Sequence, residues 1–206
     1  MGIIAKQSSW NFIVLYIGVV LGAVNNFVMP NAMNEEQLGV LRIFLSLMLV
    51  GGQLALFGGI HSILRFYPKY GKEQQTGFAA FILRNTLFST IVTIGAFVLL
   101  EPYLLEAYKE SELFGKYYYL YIPLLALFVL QEFFGAYVRS LLKSVYQIAI
   151  KEVLLRVIQG ILFVLLLYKK ISFDLFLIIY VFGYAATLIP FVITTFKTDR
   201  ANFSFG

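Results

Sequence analysis

Apolar residues in this chain come in blocks of roughly twenty, the length a helix needs to cross a bilayer, broken by short polar or charged connections. The pattern predicts six helices, at about 9–29, 37–66, 77–100, 117–142, 145–168 and 175–196. The blocks are too continuous for the period-two alternation of an outer-membrane barrel. The expected fold is therefore all-α membrane, a six-transmembrane-helix bundle over 1–196, with 197–206 a polar tail.

The polar residues inside these blocks carry most of the information. In the second block, LGVLRIFLSLMLVGGQLALFGGIHSILRFYPKYGK, about 100° per residue places Arg42, Ser46 and Gln53 within about 40° of one another. The block ends in Arg65, Lys69 and Lys72. The third carries Arg84 and a seam of Asn85, Ser89 and Thr93 at i+4 spacing. The fourth opens on Tyr117, Tyr118, Tyr119 and Tyr121, read as an aromatic belt at headgroup level, and holds Gln131 and Glu132 near its middle. The fifth has Lys151, Glu152, Arg156 and Gln159 in its first half, and the sixth has a kinking Pro190. Gly18 and Gly22 form a GxxxG spacing in the first block, which permits close helix contact. The acid-rich connection 101–116 has enough apolar residues for a short helix lying at the interface.

Composition sharpens the class. Of 206 residues, 60% are hydrophobic and 13% charged, far from the soluble balance of about half and a quarter. The net charge of +5 reads as topology, not nucleic-acid binding. Eleven of the 16 basic residues fall on the side holding Lys6, Arg65, Arg139 and Lys197, and five on the side holding Arg42, Lys109 and Lys169. That bias puts both termini in the cytoplasm. The first block has no small-residue cleavage site, so it is expected to remain as a helix. Absence of cysteine removes disulfides and thiol chemistry, and the single His61 is insufficient for a zinc site.

Each candidate site residue has two readings. A charge at the centre of a membrane helix costs about 2.5–3.5 kcal/mol, so Arg42 either faces a cavity, with Ser46 and Gln53 below it, or snorkels to headgroups. Glu152 and Arg156 have the favourable i,i+4 order. They form either a solvated helix end or, with Gln159, the polar wall of a cavity where Arg156 meets a phosphate. Glu132 either accepts from a neighbouring helix or, like Glu152, couples a proton or cation. Arg84 is either interfacial or part of the same cationic cavity, and His61 reads as a packed or interfacial ring. No phosphate loop, nucleophile elbow or HExxH is present, so no catalytic residue, metal or cofactor is expected.

Several features together resemble the polysaccharide and oligosaccharide-lipid flippases of the multidrug/oligosaccharidyl-lipid/polysaccharide exporter superfamily. These are the opening IIAKQSSWNFIVLYIGVVLGAVNNFVMPNAMNEEQLGVLRIFLSLMLVGGQLALFGG, its E-x-x-G-x-x-R turn from Glu36 to Arg42, the ILRFYPKYGK exit and the six-helix count. The resemblance implies one six-helix lobe of a two-lobe transporter in the bacterial cytoplasmic membrane. Such a transporter moves lipid-linked glycans by alternating access, with membrane lipids and a second lobe or a paired copy as partners and no nucleic acid. It implies that Arg42, Arg84 and Arg156 face a pyrophosphate headgroup, and that DRANFSFG begins a linker to a second lobe. A multidrug exporter of the same superfamily, a membrane enzyme acting on a lipid phosphate and a small structural membrane partner are the competing expectations.

Overall fold

The computed structural model describes residues 3–199, with side chains over 9–71 and 74–197. Arg200 and the tail beyond Asp199 lie outside the described residues, as do the side chains of Lys6 and Lys72. The described residues are helical and include no strand.

Helix α1 (Ile3–Ala32) keeps Pro30 inside its last turn. Helix α2 (Glu35–Leu56) starts on a capping box. The Asn34 side chain accepts from the Gln37 amide at 2.8 Å, and the Gln37 side chain accepts from the Asn34 amide at 3.2 Å. Glu35 and Glu36 lie in the first turn, where the macrodipole favours acids. The second block does not continue to residue 66. Phe57 (φ 40°) and Gly58 (φ 75°) both turn left-handed and end α2, and α3 (Gly59–Phe66) resumes beyond them. Hydropathy could not show this break, because the residues on either side of it, Ala55 and Leu56 before and Ile60 after, are apolar.

Helix α4 (Lys72–Leu99) is followed by α5 (Glu101–Ala107), the short helix expected in the acid-rich connection. Then come α6 (Glu112–Tyr117) and α7 (Tyr121–Ser140). The predicted fifth helix begins as α8 (Ser144–Ile148), widens into a π-helical segment at Ala149–Leu154 and continues as α9 (Leu155–Leu167). Helix α10 (Phe173–Asp199) contains Pro190.

Five spans are long and apolar enough to cross a membrane: Ser9–Ala32, Glu35–Leu56, Gln74–Leu99, Glu112–Ser140 and Phe173–Lys197. The predicted fifth helix is not among them, because the π segment divides it where its charges cluster. These five spans support reading the chain as a multi-pass membrane protein. Large apolar side chains of α1 such as Phe12, Tyr16 and Phe27 are exposed, as a lipid-facing helix requires.

Helix α7 is the centre of the bundle. It packs on α10, α2, α3 and α4, while α9 lies between α1 and α10. Helices α1 and α2 are consecutive yet barely touch, so the helices form an open arc with a cleft between these two. The tyrosines at the start of the fourth block are not a lipid-facing belt. Tyr117, Tyr118 and Tyr121 are buried, and only Tyr119 is exposed. The Tyr118 and Tyr121 hydroxyls donate to the Phe97 and Ile94 carbonyls of α4 at 2.7 and 3.2 Å.

Candidate functional site: a charged cleft between α1 and α2

The π-helical segment sets the site. A wide turn interrupts the regular ladder, and such turns concentrate at functional positions. From it Lys151 reaches Glu132 on α7, with Nζ 2.5 Å from Oε1. The Glu132 side chain is only 14% exposed. Its Oε1 is fully buried and accepts no well-directed hydrogen bond, so the contact with Lys151 is chiefly one of charge. Glu152 and Arg156 form the expected i,i+4 pair at 2.6 Å.

This second pair does not end a solvated helix. It is seated against α1, and that seat is the GxxxG spacing. Nη1 of Arg156 donates to the Gly18 carbonyl at 2.5 Å, and the Asn25 side-chain amide donates back to the Arg156 carbonyl at 2.8 Å. A Cβ at Gly22 would collide with Nη1 of Arg156, and one at Gly18 would lie 2.8 Å from Cβ of Glu152. The two glycines thus make room for an ion pair, a use of GxxxG beyond the close backbone approach it usually serves.

The cleft has two connected parts. The inner part, about 400 Å³, is lined by Gln53, Glu132, Lys151, Glu152, Tyr180 and Tyr184 among others. The outer part, about 450 Å³, adds Gly22, Asn25, Asn26 and Met29 of α1. Leu45, Arg156, Gln159 and Tyr180 line both parts and join them. Helices α1 and α9 form one wall, α2 the other, and α7 with α10 the floor. The floor is held by the bond from Gln131 Nε2 to Thr187 Oγ1 at 2.8 Å. Gln159 donates to the Tyr180 hydroxyl at 2.9 Å.

Of the residues proposed from sequence, the structure gathers Gln53, Glu132, Glu152, Arg156 and Gln159 in this cleft. Arg42 and Ser46 are exposed and do not line either part of it. Ser46 Oγ bonds back to the Arg42 carbonyl at 2.9 Å. On the helical wheel Arg42 nevertheless lies within about 20° of the cleft-lining Leu49 and Gln53, one turn beyond Leu45, toward the N-terminal end of α2. Arg84 is exposed, its guanidinium 5.8 Å from the Phe81 ring, and lines neither part. The cationic cluster of Arg42, Arg84 and Arg156 is therefore not assembled within this cleft. The cations that line it are Lys151 and Arg156, each paired with an acid. Tyr180 and Tyr184 were missed by sequence reading. Their i,i+4 spacing on an otherwise apolar α10 was the available signal. His61 is exposed. Among the described residues, no group of three His, Cys, Asp or Glu is placed to hold a metal ion.

Compared with protein-family models, curated proteins and solved structures, the chain matches none of them.

Proposed function

We propose that the chain is a transporter lobe that flips lipid-linked oligosaccharide or polysaccharide precursors across the bacterial cytoplasmic membrane by alternating access. One observation carries the reading: two ion pairs, Lys151–Glu132 and Arg156–Glu152, line a cleft whose other walls, α1, α2, α7 and α10, are long and apolar enough to cross a membrane, with Glu132 inside one of those spans and its three partners on the divided stretch beside it. Charges within membrane helices are costly and mark substrate or ion paths. A bilayer-spanning scaffold would do better with apolar residues at these positions, since replacing a buried ion pair by packed hydrophobes is often neutral or stabilising.

In this reading the pairs hold the cations in place until an anion arrives. Arg156 presents planar donors suited to a phosphate, and Lys151 adds a point charge. Glu132 and Glu152 are the acids released when a diphosphate takes their partners, and so the candidates for ion coupling. Asn25, Asn26, Gln53, Gln159 and Tyr180 supply neutral hydrogen-bonding groups for sugars. A second lobe or a paired copy would cover the open side of the arc, with Arg42 at its mouth, and rocking of the two would alternate access. With the divided stretch from α8 through the π-helical segment to α9 completing a sixth crossing beside the five long spans, both termini are cytoplasmic in this account.

The test is flipping of a lipid-diphosphate oligosaccharide in vesicles containing the protein with its second lobe or copy. Arg156→Gln should reduce flipping at least tenfold at unchanged membrane abundance. Unchanged flipping in that variant would remove the reading.

A further inference from the structure

Arg156 lines a third cavity. On the side of α1 away from the cleft, a groove of about 340 Å³ follows the seam between α1 and α9. Its walls are aliphatic, including Val24, Val28, Val157, Ile161 and Val164, and its polar groups are Arg156 and Asn25. Val24, Val157, Ile161 and Val164 are exposed and belong to the outward surface of the bundle. The same guanidinium is thus reached from the polar cleft on one side and from a hydrocarbon-like groove on the other.

We propose that this seam holds the hydrocarbon chain of the transported lipid phosphate, with its phosphate at Arg156. The inference rests on the function proposed above and names the path of the lipid half. Three observations favour this occupant. Among the described residues, Arg156 is the only charged group lining the groove, so a ligand with one anionic end and an apolar body matches it. Two donor contacts, to the Gly18 carbonyl and to Glu152, leave part of its five-donor fork available. The groove opens on the outward aliphatic face of a chain whose spans are long enough to cross a membrane, so the chain of a bound lipid need not leave hydrocarbon. Headgroup and tail would then part at Arg156, the sugar-bearing end entering the cleft and the tail remaining in the seam.

The test uses the full chain in phosphatidylcholine nanodiscs with hexadecyl phosphate carrying a diazirine in mid-chain. Light-induced adducts should concentrate on Val157, Ile161 and Val164 and fall at least fivefold with the uncharged hexadecanol analogue. Ile161→Trp adds bulk to the groove more than one helical turn from Arg156 and should reduce adducts on Val157 and Val164 by a similar factor. Arg156→Gln should abolish the preference for the phosphate. Three results each overturn the inference: adducts spread evenly over the exposed aliphatic residues of α1, α4 and α10; equal labelling by the alcohol; or competition by phosphatidylglycerol equal to that by unlabelled hexadecyl phosphate, which would assign the groove to bulk lipid. If labelling fails while flipping persists, the seam assignment fails and the transporter reading stands. If labelling holds while flipping is absent, the lipid site stands and the transporter reading fails.

Discussion

Glu132 and Lys151 illustrate how a single residue's role depends on its partner. In sequence Glu132 is a lone acid between apolar neighbours, and nothing local names its counter-ion. The partner comes from 19 positions along the chain, through the π-helical segment. Removing one member leaves the other charge uncompensated, at a cost of about 3–5 kcal/mol for a fully buried pair. Lys151 is about one-third exposed, so Glu132→Gln should destabilise by less than that, about 1–3 kcal/mol, seen as a lower unfolding temperature in detergent. The exchanged pair, Glu132→Lys with Lys151→Glu, should recover most of that stability. If the cation must sit on the π-helical segment to meet substrate, the exchange restores folding but not flipping. Flipping restored together with stability would make the pair structural only.

Gly22 is a second residue-scale case. Its spacing with Gly18 was legible, but not its purpose, because GxxxG alone does not distinguish a helix partner from a side chain laid across it. Gly22→Ala should displace the Arg156 guanidinium and lower stability. Arg156→Ala should make the same change nearly neutral, so a double-mutant cycle should give a coupling of about 0.5–3 kcal/mol. Additive effects would mean that Gly22 serves backbone packing and not the ion pair.

Apart from the α2–α3 break, helix ends were legible to within about six residues, because hydropathy in blocks of twenty dominates the signal. The α2 start at Glu35 was shifted by the Asn34–Gln37 capping box, a local cue that the apolar run conceals. The break at Phe57 and Gly58 and the π-helical segment were not legible. Each lies beside a tertiary contact that no local pattern names: Ser89 Oγ donates to the Leu54 carbonyl near the end of α2 at 3.2 Å, and Lys151 of the π-helical segment pairs with Glu132 of α7. Left-handed backbone costs an L residue about 1–2 kcal/mol. Gly58→Ala should therefore lower stability by about that amount in thermal unfolding. No loss would show that the α2–α3 break tolerates right-handed backbone.

At the scale of the whole molecule, sequence supplied a membrane-type helical chain and five of the cleft's polar residues, but not its topology. Periodicity assigns each residue to a face of its own helix and is silent on which helix that face meets. Arg42 and Arg84 were attractive because their charge stood out against apolar neighbours, yet neither lines the cleft. Arg156 does so because α9 is inserted between α1 and α10, an arrangement no local pattern encodes. The open arc also explains why the polar walls face a gap and not a packed interior.

A chain that flips lipid-linked glycans through this cleft must keep the cleft wetted and open to substrate. The chain has no cysteine, so one introduced thiol is a clean probe. Gln159→Cys, on the wall shared by both parts of the cleft, should react with a membrane-impermeant thiol reagent in vesicles. Saturating lipid-diphosphate oligosaccharide should slow the reaction at least fivefold. A thiol that stays unreactive, or reacts at the same rate with substrate present, would rule out a substrate path through this cleft.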